Sequence, residues 1–533
     1  MVSNPNPLRL IAVVGHPFSY DASQGGTTFS DPDGDPLIYS VTISAGPSLG
    51  LSVSGTVISG TPIQPGQLRS MEIFVEVSDQ RGGFAGERFV IDVNDNSAPG
   101  LRRPNADVVT TPGSAVDRDV TQGGTTFVDV DGDPVNYQVS LLTPARGLMV
   151  AGTRITGVID SVGVVLVKIT ASDQLGASNE DTFFVAAAAP ALASPTLPAT
   201  SYTYDDTQLP LPLKFRNSRE FFAPLWDTTF LDNKRVTDAG ATLGRVLFYD
   251  KRLSVTNTVA CASCHQQAHG FATPERFNVG VLGEPLTRNA MALANVRYNL
   301  LDQYFSDMRV TVLENLVPLP IQELRELGSP LELLVDELAA TAFYPPLFQA
   351  AFGTPEVTSD RIALALVHFL RSLLSYRTKF DRAYHVMNEG DVIDPATVLT
   401  AQELRGAEVF VEGRCDRCHN NDAHTMDGSQ NNGLDAVFTD PGAGRGRFRA
   451  ASLRNIVVTA PYMHDGRFAT LREVIEHYDH GVQASDDLSP VLVEGGAFHM
   501  NLSEEDKQAL EAFLNTFTDQ EFLEDPKFSD PFQ

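Results

Sequence analysis

Cys261-Ala262-Ser263-Cys264-His265 and Cys415-Asp416-Arg417-Cys418-His419 hold every cysteine of this chain. Two thiols separated by two residues and followed at once by an imidazole form the attachment signature of c-type haem, and it occurs twice. The thiols must reach the two vinyl groups of one porphyrin while the next side chain turns its ring onto the iron. The spacing therefore predicts two covalently bound haem c groups, with His265 and His419 as proximal iron ligands. Structural zinc pairs usually lie within roughly 20 residues of each other, whereas the second pair here begins only at Cys415. Two disulfides could use the same thiols, yet neither alternative accounts for a histidine after both pairs.

Outside these motifs, composition bounds the class. At 533 residues the chain is too long for one core, and a prior of about 150 residues per domain gives three or four units. A formal charge of −28 argues against nucleic acid or an anionic membrane surface as partner and suits attraction of a basic electron donor. No run of about 18 apolar residues is present, so no membrane span is expected. Met1-Val2-Ser3-Asn4-Pro5 lacks the charged and apolar regions of an export signal. Because haem c is attached on the outer side of the cytoplasmic membrane, a signal is expected to have been removed, and the location to be periplasmic or extracellular.

The N-terminal third repeats. Gln24-Gly25-Gly26-Thr27-Thr28-Phe29 recurs as Gln122-Gly123-Gly124-Thr125-Thr126-Phe127, and Asp31-Pro32-Asp33-Gly34-Asp35-Pro36 as Asp129-Val130-Asp131-Gly132-Asp133-Pro134, at one constant offset. That offset suits the roughly 100 residues of an immunoglobulin-like sandwich. Alternating segments such as Glu72-Ile73-Phe74-Val75-Glu76-Val77 and Val165-Leu166-Val167-Lys168-Ile169-Thr170 read as antiparallel strands. The repeats resemble cadherin-like domains, and Asp92-Val93-Asn94-Asp95-Asn96-Ser97-Ala98-Pro99 is similar to that family's linker. The resemblance implies further Ca²⁺ between the repeats, with Asn94, Asp95, Asp129 and Asp131 as candidate ligands. The same residue types also build turns, and both readings stand. These modules are expected to bind or to space, not to catalyse.

Ala186 to Ala189, followed by Pro190, Pro195 and Pro198, reads as a linker, after which the pattern turns helical. Thr400-x-x-Glu403 and Thr470-x-x-Glu473 are capping boxes, and Ser503-x-x-Asp506 opens an amphipathic helix carrying Leu510, Phe513, Leu514 and Phe517. The expected fold is multidomain. All-β immunoglobulin- or cadherin-like sandwiches at 1–96 and 97–188 precede a linker at 189–224, and two mainly α cytochrome c-type haem domains follow at 225–397 and 398–533.

Leu243-Gly244-Arg245-Val246-Leu247-Phe248-Tyr249-Asp250, the first haem motif and Phe271 resemble the N-terminal half of the bacterial di-haem cytochrome c peroxidases and MauG. Ser452-Leu453-Arg454-Asn455 and Thr459-Ala460-Pro461-Tyr462-Met463-His464-Asp465-Gly466 resemble the C-terminal half, so the likeness covers about residues 225 to 520. It implies a first haem open to hydrogen peroxide and a second that stores or relays electrons. It implies an inter-haem Ca²⁺ on Asn289, Thr459 and Pro461. It also implies either an electron donor, a small cytochrome or cupredoxin, or an oxidisable protein substrate as in MauG. Leu313 to Gly328 is similar to the distal stretch of the family, which places Pro320 and Glu326 on family positions and makes Glu326 the acid/base candidate. A solvated helix-end glutamate is the plain alternative. Tyr478 matches the second axial ligand, methionine in the peroxidases and tyrosine in MauG, and shares one helical face with Leu471, Val474 and Ile475. There the alternatives are a core tyrosine, or Met463 or Met500 as the ligand. His464 matches an inter-haem histidine.

Three positions depart from the pattern. Leu316 stands at the distal glutamine, and Ser306, in Phe305-Ser306-Asp307-Met308-Arg309, stands where the family has an inter-haem tryptophan. The sole tryptophan, Trp226, is far upstream, and Tyr304 is the nearby aromatic. Val281 occupies the place of a loop histidine that blocks the first iron in the peroxidases, and His269 lies too close to the attachment motif to replace it. A first haem open without reductive activation is therefore expected. Outside the enzyme class, the reading is a non-catalytic electron-transfer or adhesion protein. The oligomeric state is not legible in the sequence.

Overall fold

The computed structural model describes residues 1–63, 69–190, 193–205, 209–215, 236–299, 303–419, 428–493 and 500–533. Trp226 and the expected boundary at 224/225 lie outside the described residues. There are two compact units, one of Met1–Val108, Gly113–Asp160 and Val165–Val185, the other of Val109–Pro112, Ser161–Val164 and Ala186–Gln533.

In the first unit the alternating pattern becomes sheet. Strands β1 (Arg9–Val13), β2 (Phe18–Asp21), β3 (Ile38–Ala45), β4 (Leu51–Ser54), β5 (Val57–Gly60), β6 (Ser70–Ser78) and β7 (Phe84–Asn94) form two sheets, ordered β1-β7-β6-β3 and β2-β5-β4. Met71, Ile73, Val75 and Val77 of β6 are buried while the residues between them are less covered, which is the period-2 alternation of a half-buried strand. The register pairs Met71 with Ile91 and Ile73 with Phe89, so the buried rows of β6 and β7 coincide and join one core. The second repeat rebuilds the plan, with Asn136–Leu141 paired to Gly163–Ser172 and Arg154–Val158 paired to both Ala115–Asp119 and Leu148–Ala151.

The second unit is mainly helical and carries both haem motifs. Helix α1 (Asp238–Tyr249), capped by Thr237, packs on α2 (Ser359–Ser372), capped by Thr358. Helices α3 (Ala401–Glu412), α4 (Leu471–Glu476) and α5 (Glu504–Asn515) open on Thr400, Thr470 and Ser503, where the capping patterns place them. Two crossings share one device. A Cβ on Gly244 of α1 would lie 1.9 Å from the carbonyl oxygen of Ala365, and one on Gly406 of α3 would lie 2.0 Å from that of Ala509 in α5. Only glycine allows backbones so close. Phe369 stands beside the first contact and Phe513 beside the second, at 2.8 and 2.7 Å from the same added carbon.

Arg454 ties the helical unit together. Fully buried, it holds Asp381 through bonds of 2.6 and 2.8 Å, and His385 Nδ1 lies 2.9 Å from the same carboxylate. Burial alone would raise the Asp381 carboxyl, but Arg454 and His385 outweigh it and hold the group well below the ordinary carboxylate range. The segment read as a linker is packed where it is described. Tyr204 is buried and donates its hydroxyl to the carbonyl of Lys527 at 2.6 Å, and Thr196 donates its N–H to Pro531 at 2.7 Å. The cause is apolar content, since Tyr204, Leu211 and Phe215 each bury a large side chain that a free tether would leave in water. Among the described residues no helix is long and apolar enough to cross a membrane.

Candidate functional site

At the first motif, Cys261–Cys264 is one short helical turn and His265 is its C-cap. His265 Nδ1 lies 2.9 Å from the carbonyl of Phe271, whose ring is fully buried. A hydrogen bond there makes Nδ1 the protonated nitrogen and leaves Nε2 as the free donor pair, the orientation an iron ligand needs. Burial also lowers the histidine's pKa, favouring the neutral ring, with the carbonyls of Phe271 and Met291 opposing.

The distal stretch folds as two short helices, Leu313–Leu316 and Pro318–Gln322, followed by a turn in which Leu327 donates to the carbonyl of Pro320 (3.2 Å) and Gly328 to that of Glu323 (3.0 Å). Pro320 thus anchors the turn that presents Glu326. Glu326 is half-buried. Burial raises its carboxyl pKa, Glu323 adds to the effect, and Arg309 opposes it. Burial pushes the Cys264 thiol up to about 11, and the charge of Glu326 adds to the effect. Val281 donates its backbone N–H to the carbonyl of Glu326 at 2.9 Å and is itself buried. His269 is held elsewhere, its Nδ1 3.0 Å from the carbonyl of Val458. Leu316 packs partly buried against the main core.

At the second motif, a cavity of about 280 Å³ is lined by Cys415, Cys418, His419, Tyr478, Met463 and His464. Leu471, Val474 and Ile475 also line it, so the helical face read from the sequence borders a cavity as well as packing on the core. Tyr478 lies beyond the end of α4, in a π-helical turn at His477–Gly481. Such a turn inserts an extra residue and re-aims the side chains that follow, and is frequent at functional sites. Burial pushes the Tyr478 phenol up to about 12, while a hydrogen bond from Asn432 pulls the other way. Met500 also borders the cavity.

On the wall of the same cavity, His464 stacks flat on Phe448, with ring centroids 3.7 Å apart and planes 11° off parallel. Ser306 borders the same cavity, and its carbonyl accepts from the N–H of Arg449 at 2.8 Å. Arg288 anchors the region through Asp307 at 2.6 Å and through both oxygens of Asp440 at 2.7 and 2.8 Å. Tyr304 is buried on the two-stranded ribbon of Gln303–Tyr304 and Val310–Thr311. Asn289, Thr459 and Pro461 all border the cavity. The side-chain amide of Asn289 donates to the carbonyls of Glu275 (3.0 Å) and Arg276 (3.3 Å), which leaves its oxygen as the end suited to a cation.

The donor sets fit the group their sequence implies. Each motif offers two thiols and an imidazole. The first has an oriented imidazole, and the second an apolar cavity with a phenol on its wall.

In the β unit, Asp129, Asp133 and Asp173 bring carboxylate oxygens within 4.8 Å of one another. Asp129 Oδ2 is buried without a hydrogen-bond partner among the described residues. Asn96 donates to Asp173 at 2.6 Å, and His16 Nε2 lies 3.0 Å from Asp133. Of the four expected ligands only Asp129 stands in this cluster. Asp95 pairs with Arg69 at 2.7 Å, Asp131 accepts from the N–H of Ser97 at 2.7 Å, and Asn94 ends β7 with its carbonyl bonded to Val14. Asp133 was visible in the repeated Asp-x-Asp-Gly-Asp-Pro motif; Asp173 had no local signal, since only folding brings its turn to the cluster.

Comparison with known proteins agrees with this layout. A family described as di-haem cytochrome c peroxidase matches residues 238–389. Methylamine utilization protein MauG of Methylorubrum extorquens is 32% identical over 292 residues, covering 53% of this chain and 78% of that protein. The chain belongs to the di-haem cytochrome c peroxidase and MauG family. It is a peroxidase-type enzyme of that family. Cytochrome c551 peroxidase of Nitrosomonas europaea is likewise 32% identical, over 248 residues covering 44% of this chain and 71% of that protein. Among solved structures, a MauG-like protein associated with microbial copper homeostasis matches with a TM-score of 0.50 and 29% identity, over 56% of this chain and 94% of that one.

Proposed function

We propose that the chain is an exported di-haem peroxidase that reduces hydrogen peroxide at the centre held by Cys261, Cys264 and His265. A second centre on Cys415, Cys418, His419 and Tyr478 stores or relays electrons. The observation that carries this reading is Glu326, a half-buried carboxyl on a turn closed at Pro320 and Glu323 and bonded through its own carbonyl to Val281. When bound, the porphyrin iron supplies the redox chemistry, and the protein supplies ligands, access and proton delivery. Glu326 in its carboxylate form would accept a proton from one peroxide oxygen and deliver it to the other as the O–O bond breaks. Overall one peroxide, two protons and two electrons supplied through the haems would give two waters. Pro320 holds the turn that presents it, and the backbone bond from Val281 keeps that loop docked.

Replacing Glu326 by Gln keeps size and removes the base. Peroxide turnover should fall by roughly 10²- to 10⁴-fold, the usual contribution of a positioned acid/base group, with two haems still attached. Unchanged turnover would remove Glu326 from the mechanism.

Tyr478 on the cavity wall favours a second reading, MauG-like oxidation of a protein or organic substrate. A phenolate is hard and anionic and favours oxidised iron, which suits storage of oxidising equivalents over rapid relay from a small cytochrome or cupredoxin. Ser306 at the inter-haem position favours neither reading, because the missing aromatic ring would be lost to electron transfer in both. Ca²⁺ would be held between the haems by Asn289, Thr459 and Pro461, and a divalent cation in the β unit by Asp129, Asp133 and Asp173, both oxygen-only sets. The two β repeats then act as positioning modules for an enzyme in the periplasm or outside the cell, with haem domains at 225–397 and 398–533.

A further inference from the structure

Asn432 has no role in any motif read from the sequence, yet it meets two of the three side chains offered for the second iron. Its Nδ2 lies 3.4 Å from the hydroxyl of Tyr478 and 3.5 Å from the sulfur of Met463, and all three side chains border the cavity that holds Cys415, Cys418 and His419. Its main chain is fixed as well. Its carbonyl lies 3.1 Å from His477 Nε2, in the same turn as Tyr478, and the neighbouring Asn431 is buried and donates to the carbonyl of Arg445 at 3.0 Å.

A primary amide carries two N–H donors and can serve both neighbours at once, with opposite consequences. Donation to a phenolate oxygen stabilises the anion that binds iron, as a charge-assisted bond. Donation to a thioether engages one of its two lone pairs and holds the sulfur to the amide, which makes it a poorer ligand. We propose that Asn432 is a positioning residue that selects Tyr478 over Met463 as the second side chain on that iron. The proposal rests on the reading of Tyr478 as an axial ligand.

The test uses the full chain with both haems attached and compares Asn432→Leu and Asn432→Asp with the parent by ferric EPR, near-infrared absorption and redox titration. In Asn432→Leu a thioether-to-iron charge-transfer band should appear and the potential of the second haem should shift upward. Adding Met463→Leu should abolish the band. Asn432→Asp keeps the shape while placing a negative charge beside the phenolate, and should shift the signals the same way even where the leucine variant folds poorly. Parent-like spectra and potentials in both variants, alongside a Tyr478→Phe spectrum that does change, would overturn the role of Asn432 alone. An unchanged Tyr478→Phe spectrum would overturn the axial reading, and this proposal with it.

Discussion

The two haem-bearing halves of the helical unit use one scaffold and finish it differently. Each sets a glycine of the helix before its attachment motif against the backbone of a later helix, Gly244 on Ala365 and Gly406 on Ala509, and each places a phenylalanine one turn further along. What lies across from the motif is not shared. The first half brings up Glu326 on a turn anchored by Pro320; the second brings Tyr478 on a π-helical turn after α4. The scaffold can stay constant because it only has to hold two thiols and an imidazole. The chemistry proposed for the two centres would diverge because Glu326 and Tyr478 each come from a separate segment with its own local signals.

The largest effect should come from the pair that joins the halves. Asp381 lies in the helix Lys379–Tyr384, before the expected boundary at 397/398, and Arg454 lies after it. Arg454→Met strands a buried carboxylate, which typically costs about 3–5 kcal/mol, and calorimetry should show both halves losing stability together. If only one half loosens, they are not one cooperative unit. The pH dependence has a definite sign. Because the folded carboxyl of Asp381 is depressed, its contribution is fully present above the unfolded value of about 3.9 and is lost as pH falls below it.

The glycine crossings test the equivalence directly. An added methyl at either site meets a carbonyl oxygen, so Gly244→Ala and Gly406→Ala should each lower stability by about 1–3 kcal/mol, read from denaturant midpoints. A large cost at one and none at the other would show that the scaffolds are not equivalent. Activity then separates the facing residues. Since burial raises the Glu326 carboxyl, the acid limb of the peroxide rate should lie above the ordinary glutamate range, with activity rising as pH climbs through it. The limb should vanish in Glu326→Gln.

How much of this could be read from the chain depends on how locally each feature is encoded. The attachment motifs are covalent chemistry at fixed spacing, so two haem sites were legible at once. The caps at Thr400, Thr470 and Ser503 are satisfied within three residues, and the structure builds all three. Glu326 required a longer register, because only a turn closed by Pro320 and Gly328 gives it a direction. Asn432 was invisible: its contacts run to Met463, His477 and Tyr478, and an asparagine in a glycine-containing loop reads as a turn. Asp173 was missed for the same reason. The buried pair of Arg454 and Asp381 has no sequence signature either, since charged residues read as surface until both are seen enclosed.

The smallest effect concerns the helix that leads into the turn of Tyr478. The Thr470 side chain accepts from the N–H of Glu473, and the Glu473 carboxylate accepts from the N–H of Thr470 at 2.9 Å, which fixes where a helix of only six residues begins. Thr400 and Glu403 form the same box on the twelve-residue α3. Thr400→Ala and Thr470→Ala should each cost about 1 kcal/mol, but the consequences should differ. In α3 the loss is spread over a long helix anchored at Gly406, so the haem spectrum should not change. In α4 it falls on the short segment whose end aims Tyr478, so the ferric signal of the second haem should broaden in Thr470→Ala. Equal spectra in the two variants would mean that the π-helical turn is held by its packing against Asn432 and not by the helix before it.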